Sequence, residues 1–470
     1  MRSLANKQAV TKTRVPSLVM AARAVAQRAA GIGPLSIFSR SGFWFFCRHL
    51  FVLTALLPAV PSSASGKETQ IRFVTWRPDT PRVWDQAMAD FEAQNPGVKI
   101  IREVGPHSST EFHDLVTQKL KNRDPETDVF FMDVIWPAEF AAAGWALPLD
   151  GFFPPEKQKE FLEATIQANS YQGHIYGVPV FIDAGILYYR KDLLEKYGLA
   201  PPRTWPDLVN QAKIIVKKEG DPYLIGFSGQ FKEYEGLVCD MMEYILSNGG
   251  SLLDERRLKS TLDLPKAKEA VKFVRDRIIG EISNRGVLAY QEPESLALFT
   301  QGKALFHRNW PYAWESANDP KRSKIAGKVG MQPLPAFPGG KSVAALGGWQ
   351  LGISRFSRQQ EWAWKFIAFM TSREVQKRLA LLESRAPSRK ELYRDPEILK
   401  KYPQFRSQFE IFLHAVPRPR TPVYIPLSNV MQRYFSSAIA IPDSNIDQLA
   451  FFASRDMDRV LDLLKEKARP

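Results

Sequence analysis

The stretch NWPYAW, residues 309–314, sets Trp310, Tyr312 and Trp314 close together, directly after Arg308 and before the polar run ESANDPKRSK. Rings this dense normally belong to a core, yet these are bordered by polar residues on both sides. Another indole, Trp349, follows the glycine pair Gly347–Gly348, and Phe181 stands two residues before Asp183 in VFIDAG. Asp133 closes the apolar run DVFFMD. Singly, each Trp reads as core, whereas each Asp reads first as a hydroxyl acceptor and only second as a helix cap or an arginine partner. Jointly, flat rings, carboxylates and paired glycines beside strand ends suit a ring-shaped guest with one apolar C–H face and a rim of hydroxyls. Indole supplies large apolar area and one N–H donor. Ionised carboxylates accept stronger hydrogen bonds than neutral groups do. Glycine lets a backbone approach closely and offer its N–H. A carbohydrate has the matching chemistry.

Such residues need elements to hold them. IRFVTW (71–76) predicts a strand, and RVWDQAMADFEAQ (82–94) a helix with Val83, Trp84, Ala87, Met88 and Phe91 on one side. VKIIREV (98–104) is a second strand; SSTE (108–111) is a capping box opening a helix through Phe112, Leu115, Val116 and Leu120. DVFFMDVIW (128–136) is a third strand, apolar enough to be buried on both faces. This alternation predicts an α/β protein with a parallel, doubly wound lobe, in which ligands sit beyond the carboxyl ends of strands. Further strands are expected at IYGVPVF, AGILYYR, ALFHRNW, KVGMQ and SVAALGGWQLGIS, with Asp183 following the first of these. Helices are expected near 206–219, 234–247, 265–280 and 293–301 and from Gln359 onward, before a helical tail interrupted by prolines at 417–426. No internal repeat is present.

A chain of 470 residues is long enough for two or three domains, and its 44% hydrophobic and 24% charged residues are ordinary for a globular protein. The net charge of +14 is uneven: residues 1–66 hold eight Lys or Arg and no acid, which leaves +6 for the remainder. Basic residues there alternate with acids, so no nucleic-acid stripe is implied. The basic segment ending at Arg48 and His49, the apolar run LFVLTALLPAV (50–60) and the small residues PSSASG predict a secretory signal cleaved near Ala64. Cys47 precedes the apolar run and does not mark a lipid anchor; Cys239 is then the one cysteine of the exported chain, so no internal disulfide is expected. A periplasmic location follows. Esterase, zincin and phosphate-loop motifs and clustered metal ligands are all missing from the sequence, and six histidines are scattered along it. No metal or cofactor is implied.

Across DVFFMDVIW, VFIDAGILYYRKDLLEKYGL, YEGLVCDMMEYILSNGGS, RNWPYAW, GKVGMQPLPAFPGG, LGGWQLGIS and AVPRPRTPVY, the chain resembles the extracytoplasmic solute-binding proteins of carbohydrate ABC transporters, of the maltose-binding type and nearest the trehalose/maltose-binding branch. The resemblance implies a two-lobed periplasmic-binding-protein fold with a ligand cleft. Lobe 1 would take 67–180 and 322–383, lobe 2 would take 184–318 and 388–470, and crossings would lie near 181–183, 319–321 and 384–387. It implies that Asp133 and Asp183 hold hydroxyls, that Trp310 and Trp349 wall the sugar with Tyr312 of the same motif, that Gly348 offers its N–H, and that Arg418 donates to sugar oxygens. Phe181 stands where the branch has tyrosine, so a donor is lost. The acid after the first strand is replaced, leaving Asp79 or Thr80 nearby, and His107 and Phe112 replace a Thr and an Arg. A missing hydrogen-bond partner costs ~1–3 kcal/mol, enough to alter sugar preference. The implied protein is a monomeric, non-enzymatic receptor that delivers a di- or oligosaccharide to inner-membrane permease subunits. The alternatives are a receptor for a polyamine or glycosylated osmolyte, and a glycoside hydrolase using Asp133 and Asp183.

Overall fold

The structure is a computed structural model that describes residues 68–76, 81–106 and 109–467. The expected export signal, Asp79, Thr80, His107 and Ser108 of the expected capping box lie outside the described residues.

The principal strands are β1 (Thr69–Thr75), β2 (Val98–Val104), β3 (Val129–Asp133), β4 (Val178–Ala184), β5 (Ile186–Arg190), β6 (Ile225–Ser228), β7 (Ala304–Asn309), β8 (Val329–Gln332), β9 (Ala344–Ile353) and β10 (Ala415–Val416). The helices used below are α1 (Pro81–Gln94), α2 (Ser109–Lys121), α3 (Trp205–Glu219), α4 (Glu235–Ser247), α5 (Gln360–Met370), α6 (Arg373–Glu383), α7 (Tyr424–Ala440) and α8 (Ile446–Lys467).

The first sheet runs β10–β9–β3–β1–β2, and β4 also pairs with β9. β1 lies parallel to β2 and β3, as the strand–helix alternation predicts. β9 is antiparallel to both β3 and β4, so the sheet is mixed. Val129–Met132 are fully buried because helices cover both faces: α1, α2 and α5 contribute Phe91, Phe112 and Phe366 to the same core. The second sheet runs β8–β5–β7–β6. Its core gathers Trp205, Leu208 and Ala212 of α3, Val238, Met241 and Ile245 of α4, and apolar residues of α7 and α8. α3 shows its local code plainly: the Thr204 hydroxyl accepts from Asp207 N–H at the start, and Gly220 ends it with φ +66°. α4 is buried on almost every side and forms a central helix. The expected helix at 265–280 is α-helical over Pro265–Phe273 and continues as a wider π-helical segment over Val274–Ile282.

The chain passes from the first sheet into the second across Gly185 alone and returns between Gln332 and Ala344. Strand β8 hydrogen-bonds to β5, so residues 329–332 belong to the second sheet. Asp183 lies within β4 rather than after it, because Leu346–Gly348 of β9 pair with Ile182–Ala184 and carry the ladder onward. A strand's length is set here by a neighbour distant in sequence, which no local pattern reports.

Candidate functional site

Strand β9 organises the site. Its Trp349 stands opposite Asp133 on one side and opposite Phe181 on the other. Gly347 stands opposite Asp183. Directly paired residues share a face of a sheet, and residues two apart along a strand do too. Asp133, Trp349, Phe181 and Asp183 therefore lie on one face, with Gly347 as a gap between them. Trp310 fills that gap from the end of β7: a Cβ built on Gly347 would sit 3.3 Å from its Cζ3. Arg418 reaches the same strip, its Nη2 donating to Leu346 O and to Asp133 Oδ1, each at 3.4 Å. Segments around residues 133, 183, 310, 348 and 418 thus meet on one strand. Tyr312, half-buried, caps the short helix Ala313–Asn318 just beyond Trp310.

The indole of Trp349 is fixed from behind. Trp76 stacks on it at 4.8 Å with 16° between planes, and Trp136 meets it edge-on at 5.6 Å. Phe112 and Phe131 complete the support. Phe112 is fully buried in this cluster, so where the resembled branch has an arginine this chain has a core ring. Trp349 itself is half-buried, a plate with one backed face. Phe181 is buried, and the Arg385 guanidinium lies 5.0 Å from its ring centre.

The charged groups share cations. Arg418 Nη1 donates to Glu235 Oε1 at 2.7 Å, a closer contact than its 3.4 Å approach to Asp133. Glu235 also accepts from Tyr424 Oη at 2.6 Å and from the Ser428 hydroxyl. Burial pushes the Asp133 carboxyl above its ordinary range; Arg418 opposes the shift and Glu235 adds to it. Burial raises Asp183 to about 6, with Arg385 opposing and Asp133 adding. Acids poised this way accept hydrogen bonds from hydroxyls once ionised, and Arg418 can donate. Among the described residues no cluster of three or more His, Cys, Asp or Glu is placed to hold a metal ion.

The raised Asp183 pKa gives a signed prediction. Folded Asp183 holds its proton to higher pH than the unfolded chain does, so its ionisation costs stability at neutral pH and the cost vanishes as pH falls below about 4. Asp183→Asn should therefore be more stable than the native protein at pH 7.5, by ~1–2 kcal/mol after discounting for partial exposure. Denaturant titrations at several pH values should show that gap closing between pH 6 and 4; a gap independent of pH would refute the assignment.

Several participants were not singled out from the sequence. Glu235 opens α4 and holds Arg418. Glu292 accepts from Trp310 Nε1 at 3.1 Å. Trp76 directly follows β1 and backs Trp349. For Trp76 a signal existed, a large ring at a strand end, whereas Glu235 and Glu292 look like ordinary first-turn acids of helices. A cavity of about 310 Å³ is lined by Ser170, Tyr171, Gln172, Gly173, Glu255 and Arg420, none of them a residue of the strip.

Two mixed sheets flanked by helices, with the chain crossing between them more than once and rings and acids collected along β9 of the first, define a two-lobed solute-binding protein. The chain belongs to the bacterial extracellular solute-binding proteins, whose family pattern it matches over residues 77–377. It is 37% identical over 356 residues to a probable ABC transporter-binding protein of Deinococcus radiodurans, covering 75% of this chain and 83% of that one. The maltotriose-binding protein of Pyrococcus abyssi is 26% identical, covering 75% of this chain and 74% of its own. Among solved structures, maltose-bound MalE3 of T. maritima superposes with a TM-score of 0.74 at 39% identity, covering 84% of this chain and all of that one.

Proposed function

We propose that the protein is the sugar receptor of an ABC importer, and that it binds a di- or oligosaccharide of the maltose type, or trehalose, against the β9 strip. In this reading the two sheets are the cores of two closing lobes, near the expected boundaries 67–180 with 322–383 and 184–318 with 388–470, except that 329–332 travels with the second. The exported monomer carries its sugar through the periplasm to inner-membrane permease subunits. One observation carries the reading: Asp133, Trp349 and Phe181 side by side across three strands, a backed indole plate edged by carboxylates. The likeness to maltose-bound MalE3 supports it.

Thermal unfolding with maltose, trehalose, sucrose and longer glucans tests it, since a ligand that binds only the folded state raises the midpoint. At least one α-glucoside should do so, and Trp349→Ala should weaken its binding by ~1.5 kcal/mol or more, read by calorimetry. Binding of a polyamine with no response to any sugar would defeat the proposal. So would release of monosaccharide on prolonged incubation, which would point to hydrolysis.

A further inference from the structure

We propose that Arg308 is a positioning residue that sets Trp310 in place and, through Glu243, fixes its spacing from the strand that bears Trp349. Arg308 is about 1% exposed. Its Nη2 donates to Glu243 Oε1 at 2.6 Å and its Nε to Glu243 Oε2 at 2.9 Å. The same Nε lies 3.1 Å from Asp240 Oδ1, and Nη1 donates to Gln230 Oε1 at 3.2 Å. Glu243 and Gln230 accept along the guanidinium N–H directions, whereas Asp240 Oδ1 lies close to Nε without accepting a hydrogen bond from it. The flat face is left for the Trp310 ring, whose centre is 4.1 Å from the guanidinium carbon. A guanidinium can satisfy in-plane acceptors and stack at once; an ammonium cannot.

Trp310 is held from three further directions. Its Nε1 donates to Glu292 at 3.1 Å. Its backbone N–H donates to Asn309 Oδ1 at 2.7 Å, and Tyr188 Oη donates to its carbonyl at 2.9 Å. Glu243 Oε1, besides holding Arg308, accepts from Ala345 N–H at 3.0 Å. Ala345 lies on β9, two residues before Gly347 and four before Trp349. One carboxylate thus ties the guanidinium under the first indole to the backbone that carries the second. The ring seat is preset before any guest arrives, and preorganisation of this kind raises affinity by cutting the ordering cost.

This inference rests on the sugar-receptor reading, and its test keeps the two apart. Maltose affinity would be measured by calorimetry for the native protein, Arg308→Lys, Trp310→Phe and the double variant, with tryptophan emission recorded on the same unliganded proteins. Arg308→Lys should weaken maltose binding at least tenfold in the native background and less than twofold in the Trp310→Phe background. It should also shift the unliganded emission spectrum, and that shift should vanish in the Trp310→Phe background. Binding within twofold of native, an equal loss in both backgrounds, or an emission shift that survives Trp310→Phe would each overturn the proposal. Should Arg308→Lys fail to fold, the neutral pair Glu243→Gln with Arg308→Gln takes its place under the same criteria. If the native protein does not bind maltose, the functional reading fails for that sugar, and emission of the unliganded variants alone decides the positioning role.

Discussion

Gly348→Ala is expected to destabilise the protein by ~3 kcal/mol or more and to remove ligand binding in what remains folded. Gly348 has φ +127°, a conformation L side chains rarely adopt. A Cβ there would stand 2.5 Å from Phe181 O and 3.2 Å from Ile182 Cα. Both are backbone atoms of β4, so no rotamer change relieves the overlap, and the two strands must part. Parting them displaces Trp349 from its place opposite Phe181 and Gly347 from Asp183. Conformational strain contributes ~1–3 kcal/mol and overpacking a similar amount. Gly347→Ala is the comparison: its nearest contacts are the Asp183 Cβ at 3.2 Å and the Trp310 ring edge at 3.3 Å, both side-chain atoms, and its φ is not in the glycine-favouring region. Urea melts of the two variants should therefore differ by at least ~1 kcal/mol. Equal stability would mean that β9 and β4 do not pack as described.

Glu243→Ala should cost ~3–5 kcal/mol, the usual consequence of leaving one member of a buried ion pair without its partner. Glu243 and Arg308 side chains are 1% and 2% exposed. Removing the carboxylate leaves the guanidinium with Asp240 at 3.1 Å and Gln230 at 3.2 Å, and leaves Ala345 N–H without its acceptor. The exposed acid Glu281, its side chain 31% accessible and paired with the similarly exposed Lys213 and Arg277, is the contrast. Glu281→Ala should change stability by less than ~1 kcal/mol. Denaturant midpoints for both variants check the ordering, and a Glu243→Ala protein as stable as the native one would show that the cluster does not bind Arg308 tightly.

Much of the fold was legible because its signals are local. The apolar run at Val129–Met132 announced a strand buried on both faces, and the helical spacing of the apolar residues from Val83 to Phe91 announced α1. The candidate site was legible in its members, since indoles beside glycines and acids beside apolar runs are uncommon enough to notice. It was not legible in its connections. Arg418 and Asp133 lie 285 positions apart, and the preference of Arg418 for Glu235 depends on how α4 approaches, which no periodicity encodes. The Trp76–Trp349 stack likewise joins two strands that only the finished sheet brings together. The run KVGMQ reads as a strand, but its edge position beside β5 in the second sheet is a tertiary fact. The sequence rules fail here at register and partner choice, where distant segments compete, rather than at element type.

β9 joins the first sheet from far along the chain. Gln350 bonds Met132 across 218 positions, and Arg418 arrives later still. In a chain that emerges N-terminus first, β1, β2 and β3 are present long before the strand that must lie against Asp133. Until then β3 exposes an unpaired edge, a liability in any half-made sheet. Such long-range closure slows folding, and the strip that gathers Asp133, Trp349 and Arg418 cannot assemble before the last of these distant segments has arrived.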